Sequence, residues 1–111
     1  MNAASALALT VAVEFPLYMA GLLALRLTTP WRAALLGVGA NLLTQPALWW
    51  ALYPGPTATA VALGEVCVVL VEGAAVWLVA RRDLLLCLVV SLGANAASFG
   101  VGLLVSARGA G

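Results

Sequence analysis

The sequence predicts an all-α membrane protein whose four transmembrane helices form two tandem, similar helical hairpins, and three observations carry that expectation. Of 111 residues, 65% are hydrophobic and only 8% charged, a balance outside the range of soluble domains. Apolar stretches of about 20 residues, the length that crosses a bilayer as a helix, recur four times between short polar or Pro-containing breaks. A motif in the second stretch, Gly39-Ala40-Asn41-Leu42-Leu43-Thr44, returns in the fourth as Gly93-Ala94-Asn95-Ala96-Ala97-Ser98. At this length residues 1–111 form one four-helix domain, with no room for a separate soluble one.

The first span runs over residues 3–25 and ends at Arg26. Its start lacks a basic leader and Glu14 interrupts its apolar run, so no cleavable signal is expected. Thr28-Thr29-Pro30-Trp31-Arg32 reads as a short loop and helix start, with Thr29 as a cap and Pro30 in the first turn. The second span covers 33–53, and Pro54-Gly55-Pro56-Thr57 is a turn that no transmembrane helix would continue through. The third span, 58–80, stops at Arg81-Arg82, where Asp83 is a natural N-cap for the fourth, 84–106. The repeat halves are 1–53 and 58–111, and Val13-Glu14 in the first matches Val71-Glu72 in the second. An even number of spans per half makes the halves parallel, with any pseudo-two-fold axis along the membrane normal.

Arg26, Arg32, Arg81 and Arg82 sit on one side of these spans and only Arg108 on the other. Basic residues favour the cytoplasm, so the expected location is the cell inner (plasma) membrane with both termini on the non-cytoplasmic side. Trp31 and Trp77 then lie near the inner interface, and Trp49, Trp50 and Tyr53 near the outer one, where aromatic belts form. Cys67 and Cys87 differ in depth by about 13 Å at 1.5 Å per residue, too far for a disulfide, and are expected to be packing residues.

The third span also holds Glu65 and Glu72, seven residues apart and so on one helical face. A carboxylate facing lipid tails costs about 2.5–3.5 kcal/mol near the helix centre, so that face should turn towards other helices or a wet cavity. Counting depth from the Arg edge at 1.5 Å per residue puts Asn41 and Glu72 about 14 Å in, Glu14 about 18 Å, Asn95 and Gln45 about 20 Å, and Glu65 about 24 Å. In a core of about 30 Å, all but Glu65 lie close to the midplane. Tyr18 shares a face with Glu14 and is too deep for the interface, so its hydroxyl needs a partner. Ser91, Asn95, Ser98, Gly102 and Ser106 form one narrow stripe of polar and small residues on the fourth span, while Asn41, Thr44 and Gln45 cluster on the second. Ala33-x-x-x-Gly37, Ala96-x-x-x-Gly100 and Ser98-x-x-x-Gly102 are small-residue pairs that permit close helix approach. Pro16 and Pro46 release the carbonyls of Ala12 and Leu42 near mid-depth, where such groups can bind a cation or accept a polar side chain.

Two functional classes fit. In one, Glu14 and Glu72 bind a proton or cation, Asn41 and Asn95 orient them, Glu65 is an outer vestibule acid, and Gln45, Tyr18 and Ser98 complete a proton- or cation-linked transporter or channel. In the other, the same groups hold helices together in a non-enzymatic accessory or assembly subunit of a larger membrane complex. An enzyme is not expected: there is no His, acidic metal cluster, nucleophile elbow or phosphate loop, and no cofactor is implied. A net charge of +1 gives nucleic acid no footing. The expected partners are the lipid bilayer and a second copy or larger membrane protein, since four short helices hardly enclose a pathway. In size, span number and an acid in the first helix, the chain resembles the small multidrug resistance transporters in architecture. Val13-Glu14-Phe15-Pro16 differs from that family's first-helix pattern, and no residue role follows from the likeness. The small fluoride channels also have four spans, but their Phe-rich and first-helix Arg motifs are missing.

Overall fold

A computed structural model describes the backbone of residues 3–52 and 57–110, and the side chains of these except 3, 49, 51, 52 and 106–110. Tyr53 and the Pro54-Gly55-Pro56 turn, with the side chains of Trp49, Ser106 and Arg108, lie outside the described residues.

Four helices follow one another: α1 (Ala3–Ala24), α2 (Pro30–Leu52), α3 (Ala58–Ala80) and α4 (Leu84–Ala110). Local chemistry sets their ends. At the end of α1, Arg26 takes the left-handed conformation at φ 55°. Its amide donates to the Leu23 carbonyl at 3.1 Å, and the Leu27 amide to the Leu22 carbonyl at 2.9 Å. This paired closure satisfies the last carbonyls and folds Leu27 back beside Leu22, both buried. α2 starts at Pro30, whose fixed φ and missing N–H suit a first turn. Thr57 caps α3 by accepting from the Ala60 amide at 3.1 Å. Arg81, at φ 54°, ends α3 with its amide on the Trp77 carbonyl. Asp83 caps α4 as its sequence position predicts, accepting from the Leu86 amide at 3.2 Å.

The helices form a ring in which each packs on the next and α4 returns to α1, leaving the diagonal pairs apart. The α2–α3 seam is the thinnest of the four. Both short loops lie at one end, tied by Arg82 donating to the Arg26 carbonyl at 3.1 Å. Trp31 and Trp77 stack under Arg32 and Arg81 there, with the cations 5.6 and 5.0 Å from the ring centres. Gly37 allows α1 and α2 to touch, since a Cβ there would stand 3.3 Å from the Cα of Phe15. Gly100 and Gly102 instead face open space, so the glycines of the two small-residue pairs expected on α4 do not serve a close helix approach.

The polarity of the bundle is inverted relative to a water-soluble one. Glu14, Asn41, Thr44, Gln45, Glu72, Ser91 and Asn95 are buried, whereas Leu, Val, Trp and Phe side chains cover the outside. Tyr18, Leu22, Val76, Cys87 and Ala94 fill the interior around the polar groups. Cys87 packs as expected, while Cys67 points outward and packs against nothing inside. Among the described residues three helices, α1, α3 and α4, are long and apolar enough to cross a membrane. α2 has comparable length at 23 residues but is less apolar, because Asn41, Thr44, Gln45 and Pro46 interrupt its Leu and Ala.

Candidate functional site

Helical periodicity carries one polar side chain after another into the centre of the ring. Glu14 and Tyr18 are four residues apart on α1 and share the inward face. Asn41 and Thr44 do so on α2, and Ser91, Asn95 and Ser98 on α4. Of the polar residues on α3 only Glu72 turns fully in. Glu14, Asn41 and Glu72 are 0% exposed and Asn95 is 2% exposed.

Glu72 is the hub. Tyr18 donates its hydroxyl to Oε1 of Glu72 at 2.6 Å, the Thr44 hydroxyl lies 2.6 Å from Oε2, and Nδ2 of Asn95 lies 3.1 Å from Oε1. Among the described residues Glu14 has one hydrogen-bond partner within geometric reach, the Ser98 hydroxyl on its Oε2. Glu14 and Glu72 are both enclosed in the ring, and the Asn41 Nδ2 that lies on the Glu14 side makes its hydrogen bond within geometric reach to the Gly37 carbonyl. Both asparagines are held alike: Nδ2 of Asn41 donates to the Gly37 carbonyl at 3.1 Å, and Nδ2 of Asn95 to the Ser91 carbonyl at 2.9 Å. Among the described residues this leaves three buried acceptor oxygens of the cluster without a partner: Oε1 of Glu14, Oδ1 of Asn41 and Oδ1 of Asn95.

Two hydroxyls occupy a particular position. Thr44 Oγ1 stands between Oε2 of Glu72 and the Ala40 carbonyl, 2.9 Å away. Ser98 Oγ stands between Oε2 of Glu14 and the Asn95 carbonyl, 3.1 Å away. A hydroxyl has one proton to give and two lone pairs to receive. Facing a carboxylate, it donates to the carboxylate. Facing a protonated carboxyl, it accepts that proton and turns its own towards the backbone carbonyl. Either acid can therefore gain or lose a proton while the heavy atoms stay in place.

The remaining predicted site residues lie apart from this centre. Gln45 is buried, but among the described residues no hydrogen bond joins it to either carboxyl. Glu65 is half-buried on the outer wall of an open groove of about 660 Å³ between α3 and α4, whose lining also includes Asn95. Pro16 and Pro46, with Ala12 and Leu42 whose carbonyls they release, lie on the outward faces, so those carbonyls are not part of the cluster. Thr44 is the residue that sequence reasoning left out of the site. Its signal was present, because it follows Asn41 by three residues as Ser98 follows Asn95. Among the described residues no group of three or more His, Cys, Asp or Glu is placed to hold a metal ion. No protein-family model matches the chain, and comparisons with curated proteins and with solved structures return no match.

Proposed function

We propose that the chain is a small integral inner-membrane protein with four spans, which moves protons or cations, as a transporter or channel, through the Glu14, Glu72, Asn41 and Asn95 cluster. The observation that carries this reading is the incomplete pairing of a fully buried acid cluster. Glue between helices would be expected to pair its polar groups, because an unmet buried acceptor costs about 1–3 kcal/mol. Here Glu14 Oε1 and the two asparagine oxygens lack donors in the interior. A proton or a cation supplies what they lack. Intramembrane carboxyls of this kind mark ion paths and proton relays.

The rest of the arrangement follows from this premise. α2 crosses as the fourth span because its polar residues face the ring and its outward side is Leu-rich. The end bearing Arg26, Arg32, Arg81 and Arg82 lies in the cytoplasm, with both termini opposite. Crosswise bonding supports a tandem repeat of two hairpins: Thr44 of the first half meets Glu72, and Ser98 of the second meets Glu14. A homodimer or a larger membrane partner completes the pathway.

The test is Glu72→Gln in proteoliposomes. Its amide mimics the neutral acid, donating to Thr44 while Thr44 turns to Ala40, so the folded chain inserts as before. Proton- or cation-linked flux is expected to be lost. Unchanged flux overturns the reading, and a variant or wild-type chain that stays folded only with a co-purifying partner favours an accessory subunit.

A further inference from the structure

We propose that the end of the bundle bearing Arg26, Arg32, Arg81 and Arg82 holds an anionic phospholipid, its phosphate on the guanidinium groups of the first loop and an acyl chain along the outward face of α2. The proposal rests on the four helices spanning a membrane and is independent of what the acid cluster carries.

Four guanidinium groups stand at this end against one carboxylate, Asp83. Asp83 accepts the Leu86 amide on its Oδ1, and among the described residues no ion pair joins it to any of the four. Two of the four have a task in the fold. Arg81 donates its Nε to the Leu78 carbonyl at the end of α3, 3.1 Å away, and Arg82 ties the two loops through the Arg26 carbonyl. Arg26 and Arg32 are different. Both are exposed, and neither guanidinium makes a hydrogen bond or ion pair among the described residues. Arg26 also holds a left-handed φ of 55°, a conformation that Gly takes freely and other residues do not. A cation thus stands where the backbone alone would favour Gly. Arg82 brings a third guanidinium to the same loop by its bond to the Arg26 carbonyl.

Charge alone would serve topology and would not select a lipid. The surface beside the charge does. Arg32 lies over the Trp31 ring, 5.6 Å from its centre, and Trp31 is itself exposed. Leu35, Gly39 and Leu42 follow Trp31 at steps of four, four and three, so all share one face of α2. Both leucines are exposed, and a Cβ at Gly39 would meet nothing within 4 Å. From the loop inward, that face reads guanidinium, indole, leucine, open notch, leucine. A phosphodiester suits the planar forks of Arg. The indole sits at the headgroup level, and a hydrocarbon chain follows the leucines. A soluble phosphate would use only the guanidinium groups, and a zwitterionic lipid brings its own cation beside them. Basic patches at the ends of membrane helices have this ligand chemistry.

Native mass spectrometry of the full chain in a mild non-ionic detergent measures the binding of phosphatidylglycerol and phosphatidylcholine with identical acyl chains. Glycerophosphoglycerol, the same anionic headgroup without chains, is the competitor. Phosphatidylglycerol is expected to bind about fivefold tighter or more, the factor that one basic side chain near an anionic lipid surface contributes. In Arg26→Gly combined with Arg32→Gln the preference should fall below about twofold. Arg26→Gly alone should lower it while its thermal unfolding midpoint holds or rises, because Gly takes the left-handed φ without strain. Four results overturn the proposal: equal affinity for the two lipids; an unchanged preference in the double variant; displacement by glycerophosphoglycerol at the concentration of the lipid, which makes the patch a soluble-anion site; or a lowered midpoint in Arg26→Gly, which makes that Arg a part of the fold. Lipid binding is read here without transport, so its failure leaves the flux test of Glu72→Gln standing, and the reverse also holds.

Discussion

Glu14 and Glu72 are both sealed from solvent at the centre of the ring, yet Glu72 meets Tyr18, Thr44 and Asn95 while Glu14 meets Ser98 alone. The difference traces to one position. Four residues after Glu14 stands Tyr18, which gives its hydroxyl across the ring to Glu72. Four residues after Glu72 stands Val76, equally buried, which has nothing to return. An acid's surroundings are thus set by the facing half of the chain, more than by its own helix. Glu72 is surrounded by donors, and Glu14 keeps one oxygen without a partner among the described residues.

The contrast makes graded predictions. Beyond the flux loss already expected for Glu72→Gln, the largest effect on stability should come from Glu72→Leu. Thr44 can fall back on the Ala40 carbonyl and Asn95 on the Ser91 carbonyl, but the Tyr18 hydroxyl is stranded, at about 1–3 kcal/mol. Glu14→Leu strands no donor, since Ser98 keeps the Asn95 carbonyl. Thermal unfolding in mild detergent should therefore fall further for Glu72→Leu, and equal midpoints would dissolve the contrast. Tyr18→Phe brings the two acids closer to parity, and should cost about 1 kcal/mol in the same measurement. The smallest effect belongs to Glu14→Gln, which strands no neighbouring donor because Ser98 keeps the Asn95 carbonyl, and stability should change by less than about 0.5 kcal/mol. A larger loss of stability there would mean that Glu14 is not the acid left short of donors.

Much of this was legible from local pattern. The four helices, the Asp83 cap and the inward turn of Glu14, Tyr18, Asn41, Glu72 and Asn95 all follow from hydrophobic runs and helical periodicity. What stayed hidden depends on how helices meet. Glu65 shares a helical face with Glu72 by spacing, yet only Glu72 is enclosed and Glu65 stays half-buried. The carbonyls freed by Pro16 and Pro46 lie at suitable depth, but depth says nothing of direction, and they face outward. The serine and glycine stripe of α4 continues past the region where another helix packs, so Gly100 and Gly102 look onto open space. Thr44 could have been found by matching it to Ser98. Its bond to Glu72 could not, because the two residues meet only when the halves assemble.

The crossing of those bonds between halves bears on how the protein is made. Tyr18 and Thr44 reach Glu72, and Ser98 reaches Glu14, so three of the four side-chain bonds on the carboxyls join residues before 53 to residues after 57. A ribosome delivers the first hairpin well before Ser98 exists, with Glu14 bare and Tyr18 idle. Residues 1–52 made alone should be short-lived in the cell, and supplying 57–111 from a second gene should rescue them.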